Sequence, residues 1–154
     1  MDYPTLTLPP CTLSTREANG RTEVFDIVRR RYVTLTPEEW VRQHVVHALH
    51  DHQGYPLELM QVEGTIALNG MTRRCDIVVY GKAVRPMMIV ECKQPDVPLS
   101  QKVLDQASRY NLVLQVPYLY VTNGLQHLVC QVDASARCLH QLAQLPSWDD
   151  LCDG

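Results

Sequence analysis

The stretch RRCDIVVYGKAVRPMMIVECK, residues 73–93, decides how this chain is read. Cys75 to Tyr80 is a β-branched apolar run and Met87 to Glu91 is a second, each the length of a buried strand. Asp76 opens the first run, while Glu91 and Lys93 close the second with Cys92 between them. Residues i and i+2 of a strand project to the same face, so Glu91 and Lys93 point together. An aligned neighbouring strand brings Asp76 beside them, and two carboxyls and one ammonium then share a small volume.

That cluster suits a hard divalent cation. Mg2+ (or Mn2+) takes oxygen ligands, keeps several waters and uses one or two protein carboxylates plus phosphate oxygens. The expected ligands are Asp76, Glu91 and the backbone carbonyl of Cys92. A cation held there polarises a phosphodiester and lowers the pKa of a water, while Lys93 orients the attacking water or neutralises developing charge. Phosphodiester hydrolysis is the reaction these groups fit.

Working outward, Leu57 to Leu68 is strand-like, and Asn69-Gly70 supplies the positive φ angles of a hairpin turn leading into Cys75 to Tyr80. Upstream, Thr36-Pro37-Glu38-Glu39 starts a helix with a capping threonine, proline at the first position and glutamate at the third. That helix runs through Trp40, Val41, Val45, Val46 and Leu49 towards Gly54. Downstream, Ser100 caps a helix over Val103, Leu104, Ala107, Leu112 and Val113 that Pro117 ends. Strands at Tyr118 to Thr122 and His127 to Val132 follow, joined through Asn123-Gly124. The order helix, three strands, helix, strand, strand predicts an α/β sandwich with a mixed sheet. Pro4, Pro9 and Pro10 suit an extended N-terminal arm, and Asn19-Gly20 predicts a small hairpin with Val24, Phe25 and Ile27 after it. The expected division is therefore arm and hairpin over 1–22 and one domain over 23–154. The tail from Cys138 to Leu145 reads as short and amphipathic, without chemistry.

A chain of 154 residues with 45% apolar content supports one domain with a real core. Its formal charge of −3 and pI near 6.0 provide little long-range attraction for nucleic acid, so DNA contact is expected to be local or assisted. The six cysteines include no CxxC pair, and the N-terminus Met-Asp-Tyr-Pro-Thr lacks a basic, then apolar leader. Reduced thiols, no structural zinc and a soluble, cytoplasmic protein with no membrane association are the expectations. His44, His47 and His50 recur every third residue, a spacing that drifts around a helix instead of converging on a metal.

Asp76 followed by Glu91-Cys92-Lys93 resembles the motif of the PD-(D/E)xK nuclease superfamily. Gln106 and Tyr110, four residues apart on the next helix, resemble the QxxxY pattern of its RecB-like branch. The segments Thr36-Pro37-Glu38-Glu39-Trp40-Val41-Arg42-Gln43, Arg74 to Tyr80, Glu91-Cys92-Lys93-Gln94-Pro95 and Tyr120-Val121-Thr122-Asn123-Gly124 are similar to the N-terminal nuclease domain of the restriction subunit of type I restriction-modification enzymes. The likeness spans about residues 23 to 146. It implies a restriction-endonuclease-like three-layer sandwich with core order αβββαβ and a mixed central sheet. It also implies an Mg-dependent deoxyribonuclease with catalytic residues Asp76, Glu91, Lys93, Gln106 and Tyr110, DNA as substrate, and other restriction or repair subunits as partners. Nothing in the chain selects between monomer and homodimer. The large relatives carry an ATP-driven translocase, whereas this chain has no GxxxxGK[ST] phosphate loop.

Each residue also has a plainer use. Glu39 belongs to the catalytic set if it faces the metal as a helix glutamate, but a capping box explains it equally. Asp76 can close the Asn69-Gly70 hairpin through Arg73 or Arg74, Glu91 and Lys93 can be a cross-strand charge pair, and Gln106 and Tyr110 can be an ordinary polar helix face. A catalytically silent nucleic-acid-binding or assembly module with the same fold is the alternative function.

Overall fold

The computed structural model describes residues 3–133, 135 and 137–153. A small antiparallel sheet comes first: β1 (Thr15–Ala18), β2 (Arg21–Asp26) and β3 (Arg31–Thr34). Asn19 (φ 53°) and Gly20 (φ 74°) form the tight turn that pairs Ala18 with Arg21. The expected hairpin is thus present, but it continues into β3. The boundary drawn between 22 and 23 falls inside β2, where the pairs Thr15 with Val24 and Arg16 with Glu23 tie the two sides together.

The helix α1 (Pro37–Asp51) is followed by β4 (Met60–Leu68), β5 (Met71–Tyr80), β6 (Pro86–Cys92), α2 (Gln101–Leu114), β7 (Tyr118–Thr122), β8 (His127–Asp133), β9 (Cys138–Leu142) and α3 (Trp148–Asp153). The sheet order is β4-β5-β6-β7-β8-β9. Every neighbour is antiparallel except β6 and β7, which α2 connects as a parallel crossover. The αβββαβ core expected from the sequence is the observed order, with β8 and β9 extending the sheet. No helix among the described residues is long and apolar enough to cross a membrane.

Strand alternation sends side chains to two cores. Val41, Val45 and Leu49 of α1 pack with Ile77, Val79, Met88, Val90 and Tyr120 on one face. Ala107 and Leu114 of α2 pack with Val78, Ile89, Leu119 and Val121 on the other, which completes the three layers. Ser100 Oγ accepts the Val103 N–H at 3.3 Å to start α2, and Gln115 in the left-handed region ends it two residues before Pro117. The arm is anchored: Tyr3 stacks on Trp40, Leu6 enters the α1-side core and Thr7 N–H donates to Gly124 O.

Candidate active site

The site forms where β5 and β6 part. Ile77 opposite Val90 is the last pair of their ladder. Two residues on, the Cys92 N–H donates to Asp76 Oδ2 at 2.8 Å, a side-chain oxygen in place of a strand partner. The strand β5 also turns over here, since Cys75 packs in the α2-side core while Ile77 packs in the α1-side core. Residues two apart in an undistorted strand share a face, so the backbone twists at Asp76 and aims its carboxyl along the opened edge.

Asp76 Oδ1 accepts from Arg42 Nη2 of α1 at 3.0 Å, and the same nitrogen donates to Glu38 Oε1 at 2.9 Å. Glu38 and Asp76 therefore share one guanidinium. Burial, and then the charge of Asp76, push the Glu38 carboxyl above its ordinary range. Arg42 itself is largely buried and ringed by Glu38, Glu39 and Asp76. Those anions outweigh the desolvation of its charge and keep it protonated.

Glu91 projects to the α2 side and is only 7% exposed. Arg73 Nη2 lies 2.9 Å from its Oε1, yet the approach lacks hydrogen-bond direction, so both this oxygen and Arg73 Nη1 are buried without a well-aimed partner. We regard the contact as an ion pair and not as a full hydrogen bond. Burial pushes the Glu91 carboxyl up to about 7, helped by Asp76 and opposed by Arg73 and Lys93. The Arg73 guanidinium rests on the ring of Tyr110, 4.2 Å from its centroid, which links α2 to Glu91.

Arg73, Glu91, Lys93 and Gln106 line one cleft of about 80 Å³, floored by Val103, Ala107 and Val121. A few water-sized groups fill such a space. Gln106 also borders a broader hollow with Lys102, Asp105, Arg109 and Tyr110. Glu91, Lys93 and Gln106 thus line one cleft, Tyr110 joins through Arg73, and Asp76 joins through the Cys92 N–H. The Cys92 thiol is buried in the α1-side core, where burial pushes it well above the ordinary thiol range. Among the described residues, the ligand oxygens of Glu38, Asp76 and Glu91 are not all within 4.8 Å of one another; Asp76 and Glu91 are each turned onto an arginine.

Glu39 is placed behind this site. Thr36 Oγ1 accepts the Glu39 N–H at 3.1 Å, so the threonine cap is present, but the Glu39 carboxylate bonds Arg29, Arg42 and Gln43. It touches Asp76 only through Arg42. Hairpin closure through Arg73 or Arg74 is not what Asp76 does, because Arg73 pairs with Glu91 and Arg74 with Glu63. Glu38, Arg42 and Arg73 were not singled out from the sequence as members of the site. One turn of α1 separates Glu38 from Arg42, a spacing that could have flagged the pair.

This fold defines the class. A mixed six-stranded sheet between helices, with core order αβββαβ, is a restriction-endonuclease-like architecture. The structure is similar to one described as a fragment of an HsdR subunit of a type I restriction enzyme from Vibrio vulnificus YJ016, with a TM-score of 0.52 over 76% of this chain at 22% identity. That likeness is one of fold, and this chain spans 24% of the length of that one. The family model for the type I restriction enzyme R protein N terminus matches residues 37–146, and the chain belongs to that family. No curated protein matches it.

Proposed function

We propose that the chain is a metal-dependent nuclease that hydrolyses DNA phosphodiesters, with Asp76 and Glu91 as cation ligands. The observation that carries this reading is the buried Glu91 carboxyl. It has one poorly aimed ion-pair neighbour and a raised pKa, and it lies beside Lys93 in a polar cleft. A buried acid so weakly compensated is costly, and such sites cluster where function requires them.

The donor set fits Mg2+ or Mn2+, since Asp76, Glu91 and the Cys92 carbonyl offer hard oxygens and Glu38 stands next to Asp76. Bound there, the cation supplies Lewis-acid stabilisation of phosphate charge and eases deprotonation of the attacking water. Lys93 holds that water or the developing phosphate charge. Gln106 and Tyr110 contact the DNA backbone at the cleft rim, and Tyr110 keeps Arg73 stacked beside Glu91. Arg42 and Arg73 neutralise the acids when no cation is bound. Glu39 positions Arg42 and has no contact with the reacting groups.

Family membership and the acidic net charge make DNA and further restriction subunits the partners of this reading, the latter supplying the attraction that a chain of charge −3 lacks. A catalytically silent assembly module is the second reading, favoured by the arginine on each acid. Incubation with supercoiled, linear and single-stranded DNA in Mg2+ or Mn2+ separates the two. Cleavage that Lys93→Ala reduces at least a hundredfold supports the nuclease. Its absence with every substrate, or its persistence in Lys93→Ala, overturns it.

A further inference from the structure

The far edge of the sheet carries a second cluster that the candidate active site does not use. Asp133 ends β8 and pairs directly with Cys138, the first residue of β9. His140 lies two residues on, so all three side chains share a face of the hairpin. His140 Nε2 is 3.3 Å from Asp133 Oδ2 and 3.8 Å from Cys138 Sγ. One donor atom from each residue lies within 4.8 Å of the other two. Ser135 Oγ donates to Asp133 Oδ1 at 2.7 Å and orients the carboxylate.

These separations match a coordination shell. With zinc bonds of about 2.3 Å to sulfur and about 2.0 Å to nitrogen or oxygen, tetrahedral angles place N and O about 3.3 Å apart and S and N about 3.5 Å apart. Two edges are 3.3 and 3.8 Å, close to these values, and the third, between Cys138 and Asp133, lies within 4.8 Å. Thiolate and imidazole donors select a zinc-class ion and disfavour Mg2+. In sequence, zinc sites announce themselves as CxxC pairs or as histidines on one helix face. A Cys-x-His strand pair whose third donor comes from the preceding strand escapes both.

We propose that Asp133, Cys138 and His140 form a three-donor site for a zinc-class divalent cation, separate from the cleft at Glu91. The cation clips β9, the edge strand, to β8 across the loop that joins them. Its remaining coordination position takes water. On binding, the Cys138 S–H bond breaks, the sulfur keeps the electron pair and bonds the metal, and the proton leaves to solvent. Affinity therefore rises with pH.

The test is a Co2+ titration of the whole chain, stripped by chelator and kept reduced with a phosphine. One equivalent is expected to bring a near-ultraviolet thiolate-to-cobalt band with intense tetrahedral visible bands, and Zn2+ is expected to displace them while excess Mg2+ does not. Cys138→Ser should abolish the thiolate band, and His140→Ala should weaken binding at least tenfold. Both positions are accessible enough for circular dichroism to verify an unchanged fold. Cys11→Ser, Cys152→Ser and Asp76→Asn should leave the thiolate band intact, the last showing that this site stands apart from the nuclease reading. No thiolate band in the unmodified chain, or a band that survives Cys138→Ser, overturns the proposal.

Discussion

Replacing Glu91 by glutamine tests the electrostatics of the site without removing its shape. Burial holds the Glu91 carboxyl up to about 7, against an ordinary value of 4.5. Because the folded value is raised, the group's contribution to stability is full below about pH 4.5 and is lost as pH climbs to about 7, where the unfolded chain has ionised but the folded chain resists. At about 1.4 kcal/mol per pH unit, the ceiling on this loss is about 3 kcal/mol. Urea unfolding of wild type and Glu91→Gln at pH 5 and pH 8, with chelator present, isolates it. The variant should gain on the wild type by up to about 3 kcal/mol between the two pH values. A cation that uses the ionised carboxylate must displace the same proton, so Mg2+ affinity should be about 25-fold weaker at pH 5.5 than at pH 7.5. A stability difference that stays flat with pH, or that moves towards the wild type as pH rises, refutes the assignment of a raised Glu91.

Arg73→Ala removes the cation beside Glu91, so the pH midpoint of Mg2+ binding should move above its wild-type value; calorimetry across pH detects the shift. Asp26 is fully buried; its burial is outweighed by hydrogen bonds from Arg29 and Gln43, which hold the carboxyl below its ordinary range. Asp26→Asn should destabilise the chain by about 3–5 kcal/mol in urea unfolding at pH 7, and by progressively less as pH falls below about 3.8, where the wild type loses the same charge. Gly124 has φ +87°, and a Cβ there would lie 2.7 Å from Leu6 Cδ2. Gly124→Ala should cost about 1–3 kcal/mol and expose the arm to limited proteolysis.

The core elements were legible because each carried two independent signals. The start of α1 combined a cap with Pro37, the β4–β5 hairpin combined Asn69-Gly70 with flanking apolar runs, and α2 ran between Ser100 and Pro117. β3 was not legible, since Arg29-Arg30-Arg31 looks like a charged turn and Arg30 does adopt a positive φ of 56°, yet Arg31 already pairs with Asp26. β9 and α3 offered only short, weakly patterned stretches. At the site, strand alternation was enough to put Glu91 and Lys93 together. It could not show that β5 turns over at Asp76, nor settle which of two adjacent glutamates faces the acids. Each helical residue advances about 100°, so Glu38 meets Asp76 while Glu39 turns to Arg29 and Gln43. The partnership of Arg73 with Glu91 joins different strands and has no local signature.

In the proposed nuclease Asp76 and Glu91 serve one cation, and a crystal structure of the chain soaked in Mn2+ near pH 7.5 tests that most directly. One ion bonded at about 2.1 Å to oxygens of Asp76 and Glu91, with Arg73 moved off the Glu91 carboxylate, is the predicted result. Saturating Mn2+ that leaves both arginine pairs intact and places no ion between the two acids would contradict it.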